Sequence, residues 1–257
     1  MTEKHAVIKL GDVKYKYGNC EVQGERPTME DATVIAGDVP TQDYCYFAVF
    51  DGHGGSHVSH YAGENIHKSF MEHFSKENDV IQSINGAFAE VNNHLVQTWP
   101  EEGCTAGVIV VSDEKVFSIN LGDVRAVMAY PDGKVERLSY DHKASDPDEK
   151  ALIESRGVKV FRNRILGILA VSRALGDGEF EGIIGTDPYI TQKDRVNGAK
   201  IILACDGVWD VLSDEDAAKI ARENEDPSEA AKAIVHESIE KKTSDNVSCI
   251  VIDLTLQ

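Results

Sequence analysis

Four aspartates in this sequence stand at the ends of apolar stretches of the kind that form buried strands. Asp51 and Asp206 each follow such a stretch, Asp245 stands just before one, and Asp123 ends another. Strand ends hold side chains on rigid elements, so several carboxylates can converge there. One such aspartate alone is typical of a turn or a helix cap, but four such ends, two of them followed directly by a glycine, favour a shared site.

Converging carboxylates repel one another, so a cluster of them needs a countercharge. Divalent cations with oxygen ligands supply it, and the lack of histidine or thiolate ligands in the cluster favours Mg²⁺ or Mn²⁺ over Zn²⁺. His53 lies two residues after Asp51, in a run of glycines that must form a turn. The residues alone leave open whether His53 also takes part in chemistry.

Two basic features could meet an anionic substrate. Arg26 precedes Glu30 and Asp31, so its guanidinium is either an ion-pair partner or a fork that grips a phosphate with two hydrogen bonds. Between residues 155 and 176 the chain has basic residues and no acidic one, which suits either a solvated face or a wall for an anionic substrate. The basic residues are Arg156, Lys159, Arg162, Arg164 and Arg173.

Composition narrows the class of protein. The 257 residues carry a formal net charge of −18, which argues against nucleic acid and anionic membranes as partners, because both select lysine and arginine. No stretch approaches a membrane span of about 18 apolar residues, and the start lacks the apolar core of a signal peptide. Five cysteines without a C-x-x-C pair favour a reducing compartment. We expect a monomer of the cytoplasm, with the nucleus as the alternative.

The elements that must position these residues follow from apolar spacing. Strand-like runs occupy residues 20–23, 33–36, 44–50, 105–111, 116–120, 125–130, 135–138, 199–205 and 247–254. Apolar residues recur every three or four positions over 58–74 and 80–95, and cap signals at Asp146, Ser213 and Asp226 predict three later helices. Runs of strands broken by a helix pair predict an α+β fold with antiparallel sheets. Without a linker or repeat, one domain over 1–257 is the simplest organisation.

The motifs of the chain resemble those of the protein phosphatase 2C family, the metal-dependent protein serine/threonine phosphatases. They occupy residues 26–31, 50–55, 103–106, 120–125, 141–143, 169–177, 204–210 and 244–246. One motif alone would be weak, but eight in the family's order over nearly the whole chain are highly specific. The resemblance implies a central sandwich of two antiparallel β-sheets flanked by helix pairs, with two Mg²⁺ or Mn²⁺ ions in a cleft at one end.

The resemblance also implies a set of metal ligands. Asp51 would bridge both ions, and the Gly52 carbonyl would bind one of them. Asp206 and Asp245 would bind the other ion, and Glu30 would act through a bound water. Asp123 and Asp210 match positions that, with Asp206, hold a third and weaker ion in some members of the family.

The same resemblance implies the reaction. A hydroxide that bridges the ions would attack phosphoserine or phosphothreonine of a protein substrate directly, while Arg26 binds the phosphate and His53 acts as the general acid. The family's variable flap falls at about residues 157–188, and Arg162 and Arg164 lie in it. Leu166 stands where asparagine is common in the family, which bears on substrate preference and leaves the metal ligands intact.

Two other functions remain to be compared. Cys20 and Arg26 form a C-x5-R spacing, the pattern of phosphatases with a cysteine nucleophile, but two glutamates lie inside that loop and Pro27 follows it. Such a loop is a poor cradle for a dianion. The other alternative is a binding protein: a catalytically silent relative that uses the fold only to hold partners. Such a protein would tolerate the loss of metal ligands, whereas this chain keeps them.

Overall fold

Two β-sheets stack face to face and contain most of the strands. The structure is a computed structural model that describes residues 6–37 and 44–255, with the backbone alone for residues 6–10. The first sheet has the order β1 (Ala6–Leu10), β3 (Ala32–Ala36), β4 (Cys45–His53), β5 (Gly103–Val111), β6 (Lys115–Leu121) and β12 (Tyr189–Asp194), and β11 (Leu175–Gly176) also pairs with β5. The second has the order β2 (Tyr17–Val22), β14 (Val247–Asp253), β13 (Lys200–Ala204), β7 (Arg125–Ala129) and β8 (Val135–Arg137).

Helix pairs cover the outer faces of both sheets. The first sheet is covered by α1 (His57–Glu77) and α2 (Val80–Thr98), and the second by α5 (Asp214–Glu223) and α6 (Pro227–Glu240). Strand β4 shows how the layers form, because Tyr46 and Phe50 pack against the helices while Phe47 and Val49 pack against the other sheet. Each such buried side chain stabilises the fold by about 1.5–3 kcal/mol. The predicted α-β-β-α sandwich is confirmed.

The pairing of neighbouring strands is antiparallel with one exception among the described residues. Strand β1 runs parallel to β3, with Ala6 opposite Ala32. Parallel neighbours need a crossover connection, and here the chain between them passes through β2 in the other sheet. The predicted antiparallel sheets are confirmed, with this one parallel pair at the edge of the first sheet.

The predicted helix starts are confirmed by their caps. The Asp146 side chain accepts hydrogen bonds from two backbone amides at the start of α3 (Pro147–Ser155). Ser213 forms a capping box with Asp216, and Asp226 caps α6. A short helix, α4 (Asp206–Trp209), follows β13 directly. Within the described ranges, no helix combines the length and the apolar character that crossing a membrane requires.

The flap segment has its own small hydrophobic core beside α3. It contains a hairpin of two short strands, β9 (Val160–Phe161) and β10 (Arg164–Ile165), and a 3-10 turn at Gly178–Phe180. The buried residues of this small core are Ala144, Ile153, Ile165, Leu169, Val171, Ala174 and Ile184. This core gives the flap a defined position beside the sandwich.

Candidate metal centre and active site

The register of the strands brings the predicted site residues to one end of the sandwich. Phe50, just before Asp51, lies opposite Ala32, so the segment before β3 ends beside the tail of β4. Ala204, two residues before Asp206, lies opposite Cys249, so the end of β13 meets the start of β14. Four segments of the chain therefore meet in two pairs, because antiparallel neighbours place one strand's end beside the next strand's start.

A cleft of about 540 Å³ opens at this end. The predicted site residues that line it are Arg26, Asp51, Gly52, His53, Asp123, Arg162, Arg164, Asp206, Asp210 and Asp245. Glu30 is half-buried at its edge, where its backbone carbonyl accepts a hydrogen bond of 3.2 Å from the Gly52 amide. Every residue assigned to the site from the sequence thus lies in or beside one cavity.

Carboxylates crowd the floor of the cleft. Burial raises the pKa of Asp51 well above its usual range, and the nearby charges of Asp31, Asp206 and Asp123 raise it further. Burial also raises the pKa of Asp206, and the charges of Asp123 and Asp245 raise it further. Such shifts arise when negative charges share a site without enough countercharge, so this floor is built for cations.

Asp31 is a buried acidic residue beside Asp51 that the sequence did not single out. It is 1% exposed, and neither of its carboxylate oxygens has a hydrogen-bond partner among the described residues. Burial raises its pKa to about 7. Asp31, Asp51 and the Cys205 thiol offer ligand atoms within 4.8 Å of one another. An orphaned buried carboxylate at this point needs a cation or a proton.

The donor set fits Mg²⁺ or Mn²⁺. Asp51, Asp206, Asp245 and the Gly52 carbonyl supply oxygen atoms, the ligands that these ions prefer. Cys205 is the soft donor that lies with Asp31 and Asp51, and burial raises its pKa well above the usual range, so it stays a neutral thiol. Its sulfur also accepts a hydrogen bond of 3.1 Å from the Ser248 amide. The sulfur is therefore a poor ligand, and the floor is an oxygen site.

Close packing fixes the Gly52 backbone. A Cβ on Gly52 would lie 2.5 Å from the Glu30 carbonyl oxygen and 2.9 Å from the Ser59 hydroxyl, so no side chain fits here. The Ser59 hydroxyl donates a hydrogen bond of 2.5 Å to the same Glu30 oxygen. These contacts hold the loop that contains Glu30 against the end of β4.

Asn246 ties the loop before β3 to the start of β14. Its carboxamide nitrogen donates to the backbone oxygens of Gln23 and Thr28, at 2.7 and 2.9 Å, and its oxygen accepts from the Glu30 amide at 2.8 Å. Because Asn246 follows Asp245 directly, the same link sets the position of Arg26 relative to the floor. Arg26 donates a hydrogen bond of 2.8 Å to Asp245.

A buried ion-pair network supports the helix that begins with Asp206. Arg125 is 9% exposed, donates to Asp214 at 2.8 Å and also pairs with Asp141. Its guanidinium lies over the ring of Trp209, 5.0 Å from the centroid. Trp209 belongs to α4, so the network fixes the short helix that begins with Asp206.

Lys143 lies between the two aspartates assigned to a third ion. Its ammonium is 3.4 Å from Asp123 and 3.0 Å from Asp210. Asp123 is 4% exposed, whereas the Asp210 side chain is 58% exposed. The lysine already supplies part of the countercharge at this position, which the sequence did not reveal.

Comparisons with known proteins agree with this geometry. The family described as Protein phosphatase 2C matches residues 15–247. Protein phosphatase 2C homolog 1 of Schizosaccharomyces pombe is 38% identical over 90% of this chain and 70% of its own length. The protein of the same description from Saccharomyces cerevisiae is 36% identical over 95% of each chain.

The chain belongs to the protein phosphatase 2C family. It is thus a protein serine/threonine phosphatase, as the motifs predicted. Solved structures share the fold: a sex-determining protein of C. elegans has a TM-score of 0.85 at 24% identity, covering 94% of this chain and 65% of its own. A phosphatase of Toxoplasma gondii has a TM-score of 0.82 at 23% identity, covering 95% of each chain.

Two of the five basic residues between residues 155 and 176 line the cleft of this protein phosphatase 2C. They are Arg162 and Arg164. Arg156 instead donates to the Ile183 carbonyl at 2.5 Å, and Arg173 pairs with Glu149 at 2.6 Å. The wall alternative therefore applies to Arg162 and Arg164, because structural partners engage Arg156 and Arg173.

The cysteine-nucleophile alternative of the sequence fails on geometry. Cys20 lies within β2, opposite Cys249, where its backbone is part of the sheet and cannot form a phosphate loop. Burial raises the pKa of its thiol above the usual value, so a thiolate is disfavoured. All five cysteines are free thiols in the structure.

His53 has a partner that the sequence did not identify. Its Nε2 lies 2.7 Å from a carboxylate oxygen of Asp177, at the end of the 169–177 motif. Nothing in the local sequence pattern connects these residues, which are 124 positions apart. The pairing of β11 with β5 brings them together.

Proposed function

We propose that this phosphatase hydrolyses phosphoserine and phosphothreonine of protein substrates at a Mg²⁺ or Mn²⁺ centre of two ions held by Asp51, Gly52, Asp206 and Asp245. The observation that carries this centre is the convergence of Asp51, Asp123, Asp206 and Asp245 on one cleft floor, where burial and their mutual charges raise the pKa values of Asp51 and Asp206. Bound divalent cations would supply Lewis acidity there and lower the pKa of a coordinated water. Glu30 would act through water, and Asp123 with Asp210 would hold a weaker third ion.

The side chains on the cleft wall account for the remaining steps. Arg26 is half-exposed and points its charge at the floor, where it can donate two hydrogen bonds to phosphate oxygens and offset charge that develops on them. The leaving group is an alkoxide, which needs a proton. His53 is placed to give it, a contribution worth typically about 10²–10⁴ in rate. No covalent enzyme intermediate is required.

Hydrolysis of a phosphothreonine peptide tests the proposal. We expect release of inorganic phosphate with Mn²⁺, none with EDTA, and a loss of at least about 100-fold in Asp206→Asn, because a lost ligand weakens the centre more than a lost supporting contact does. Asp194→Asn is the matched control, since that side chain is 81% exposed on β12 and should leave turnover unchanged. Activity that survives EDTA, or equal activity of the two variants, would contradict the metal centre.

A further inference from the structure

His53 is paired with a carboxylate that is more buried than the histidine itself. The distance from His53 Nε2 to Asp177 Oδ2 is 2.7 Å, and the exposed fraction is 28% for the His53 side chain and 4% for Asp177. A buried carboxylate is costly unless it is hydrogen-bonded, so the histidine is a required partner of Asp177. On its other side His53 lines the cleft that contains the metal-site aspartates.

The backbone around Asp177 holds its carboxylate rigidly. Its amide donates a hydrogen bond of 2.7 Å to the Glu102 carbonyl, and its own carbonyl accepts from the Phe180 amide at 2.8 Å. Asp177 has φ of 50°, in the left-handed region that aspartate and asparagine tolerate better than most residues. The carboxylate is therefore aimed by a fixed turn rather than by a mobile loop.

Gly103 leaves the space in which the two side chains meet. It lies opposite His53 in the β4–β5 register and opposite Gly176 in the β5–β11 register. A Cβ on Gly103 would lie 2.2 Å from Asp177 Oδ2 and 2.4 Å from His53 Nε2. The pair thus depends on three strands and on one glycine between them.

We propose that Asp177 is a positioning residue that orients His53 for proton transfer. The inference rests on the proposed function. The carboxylate accepts the hydrogen bond of Nε2–H, which fixes the ring and leaves Nδ1 as the nitrogen that gives its proton to the substrate. As the phosphorus–oxygen ester bond breaks, its electron pair stays on the leaving oxygen, which takes the Nδ1 proton. Nε2–H remains bonded to Asp177, and the neutral ring regains a proton from water.

Asp177→Asn tests this role, because asparagine keeps the shape, tolerates the left-handed backbone and removes the charge. Two substrates separate positioning from folding: a phosphothreonine peptide, whose alkoxide needs a proton, and p-nitrophenyl phosphate, whose leaving group does not. We expect kcat for the peptide to fall about 10–100-fold, part of the contribution of a general acid, and kcat for the aryl ester to fall less than about threefold. The KM values and the Mn²⁺ concentration for half-maximal activity should not change.

A double-mutant comparison strengthens the test. In a His53→Ala background, Asp177→Asn should cause no further loss, since the carboxylate acts through the histidine. Glu179→Gln is the matched control, because Glu179 is exposed on the same turn and should leave both substrates unaffected. An equal loss on both substrates, or an undiminished loss without His53, would overturn the positioning role. If the unaltered protein shows no Mn²⁺-dependent turnover of either substrate, the proposed function itself fails.

Discussion

At the scale of single residues, the Arg26 side chain can serve two partners, Asp245 and the phosphate of the substrate. One guanidinium nitrogen already donates to Asp245, and this hydrogen bond raises the pKa of Arg26, so the side chain stays charged. The side chain is 51% exposed, which leaves further N–H groups free to meet a phosphate. An arginine that bridges the floor and the substrate would couple phosphate binding to the position of a metal ligand.

Arg26→Lys should therefore raise the KM for a phosphothreonine peptide about tenfold, because a lysine cannot make two parallel hydrogen bonds to one phosphate. Steady-state kinetics at fixed Mn²⁺ would measure it. Arg195→Lys is the control, since Arg195 donates its hydrogen bonds to the carbonyls of Asp113 and Leu254, outside the cleft. An unchanged KM in Arg26→Lys would mean that Arg26 serves as an ion-pair partner of Asp245 alone.

The residues that the sequence could identify are those that stand at strand ends or in known motifs. Asp51, Asp206 and Asp245 met both conditions, and all three line the cleft. Asp31 follows Glu30 directly, and no local pattern shows which of two adjacent acids turns inward. Asp177 lay inside a motif, but its contact with His53 depends on strand pairing that only the fold creates.

At the scale of elements, the flap hairpin presents an unusual surface beside the cleft. Phe161, Leu166 and Ile168 are 60%, 56% and 63% exposed, more than any other large apolar side chain described. Arg162 lies over the Phe161 ring at 5.2 Å, and Arg164 donates to the Ile168 carbonyl at 2.6 Å. Basic and apolar groups alternate here, which suits a phosphorylated segment with apolar residues near the phosphate.

Replacing Arg162 and Arg164 together by alanine should raise the KM for a phosphothreonine peptide about tenfold. The turnover of p-nitrophenyl phosphate should not change, because this aryl ester is too small to reach the hairpin. The effect should shrink at high salt, since exposed charges are screened. Comparison at low and high ionic strength would measure it, with Lys219→Ala on α5 as the exposed control. A similar loss on the aryl ester would place Arg162 and Arg164 in the chemistry instead.

Elements with strong local signals were predictable, and those without them were not. Helices α1 and α2 follow their apolar spacing, and α3, α5 and α6 begin at their caps. Strand β12 escaped prediction, because its residues are half-buried or exposed at an edge and show no apolar run. Strands β9 to β11 have two residues each, too few for any periodicity. The parallel β1–β3 pair depends on a crossover that no local pattern encodes.

For the whole molecule, the net charge of −18 has two components. Most acidic side chains are solvated and contribute little to folding. The carboxylates of the cleft floor are different, because folding takes them out of water beside one another. Without metal, the folded state must either bear that repulsion or bind protons, so the stability of the metal-free protein depends on pH.

Asp31 shows in which direction stability changes with pH. Burial raises its pKa to about 7 in the folded protein, whereas the unfolded chain has the usual value near 3.9. A raised pKa means that the folded state binds the proton more tightly, so Asp31 contributes stability at low pH that is lost as pH rises through about 7. Histidines oppose this below about pH 6.5, since burial lowers the pKa of His142 to about 4 and that of His67 as well.

Comparison with Asp31→Asn removes the contribution of the histidines to the pH dependence, because the histidines are the same in both proteins. In EDTA, the free energy of unfolding of the unaltered protein relative to Asp31→Asn should rise by about 1 kcal/mol from pH 8 to pH 6, and denaturant titrations would measure it. Asp226→Asn, an exposed helix cap, should show no such rise. A relative stability that falls over this range would mean that Asp31 is ionised and paired in the folded protein. The floor would then hold its charge without metal, and the crowding of carboxylates would not by itself call for cations.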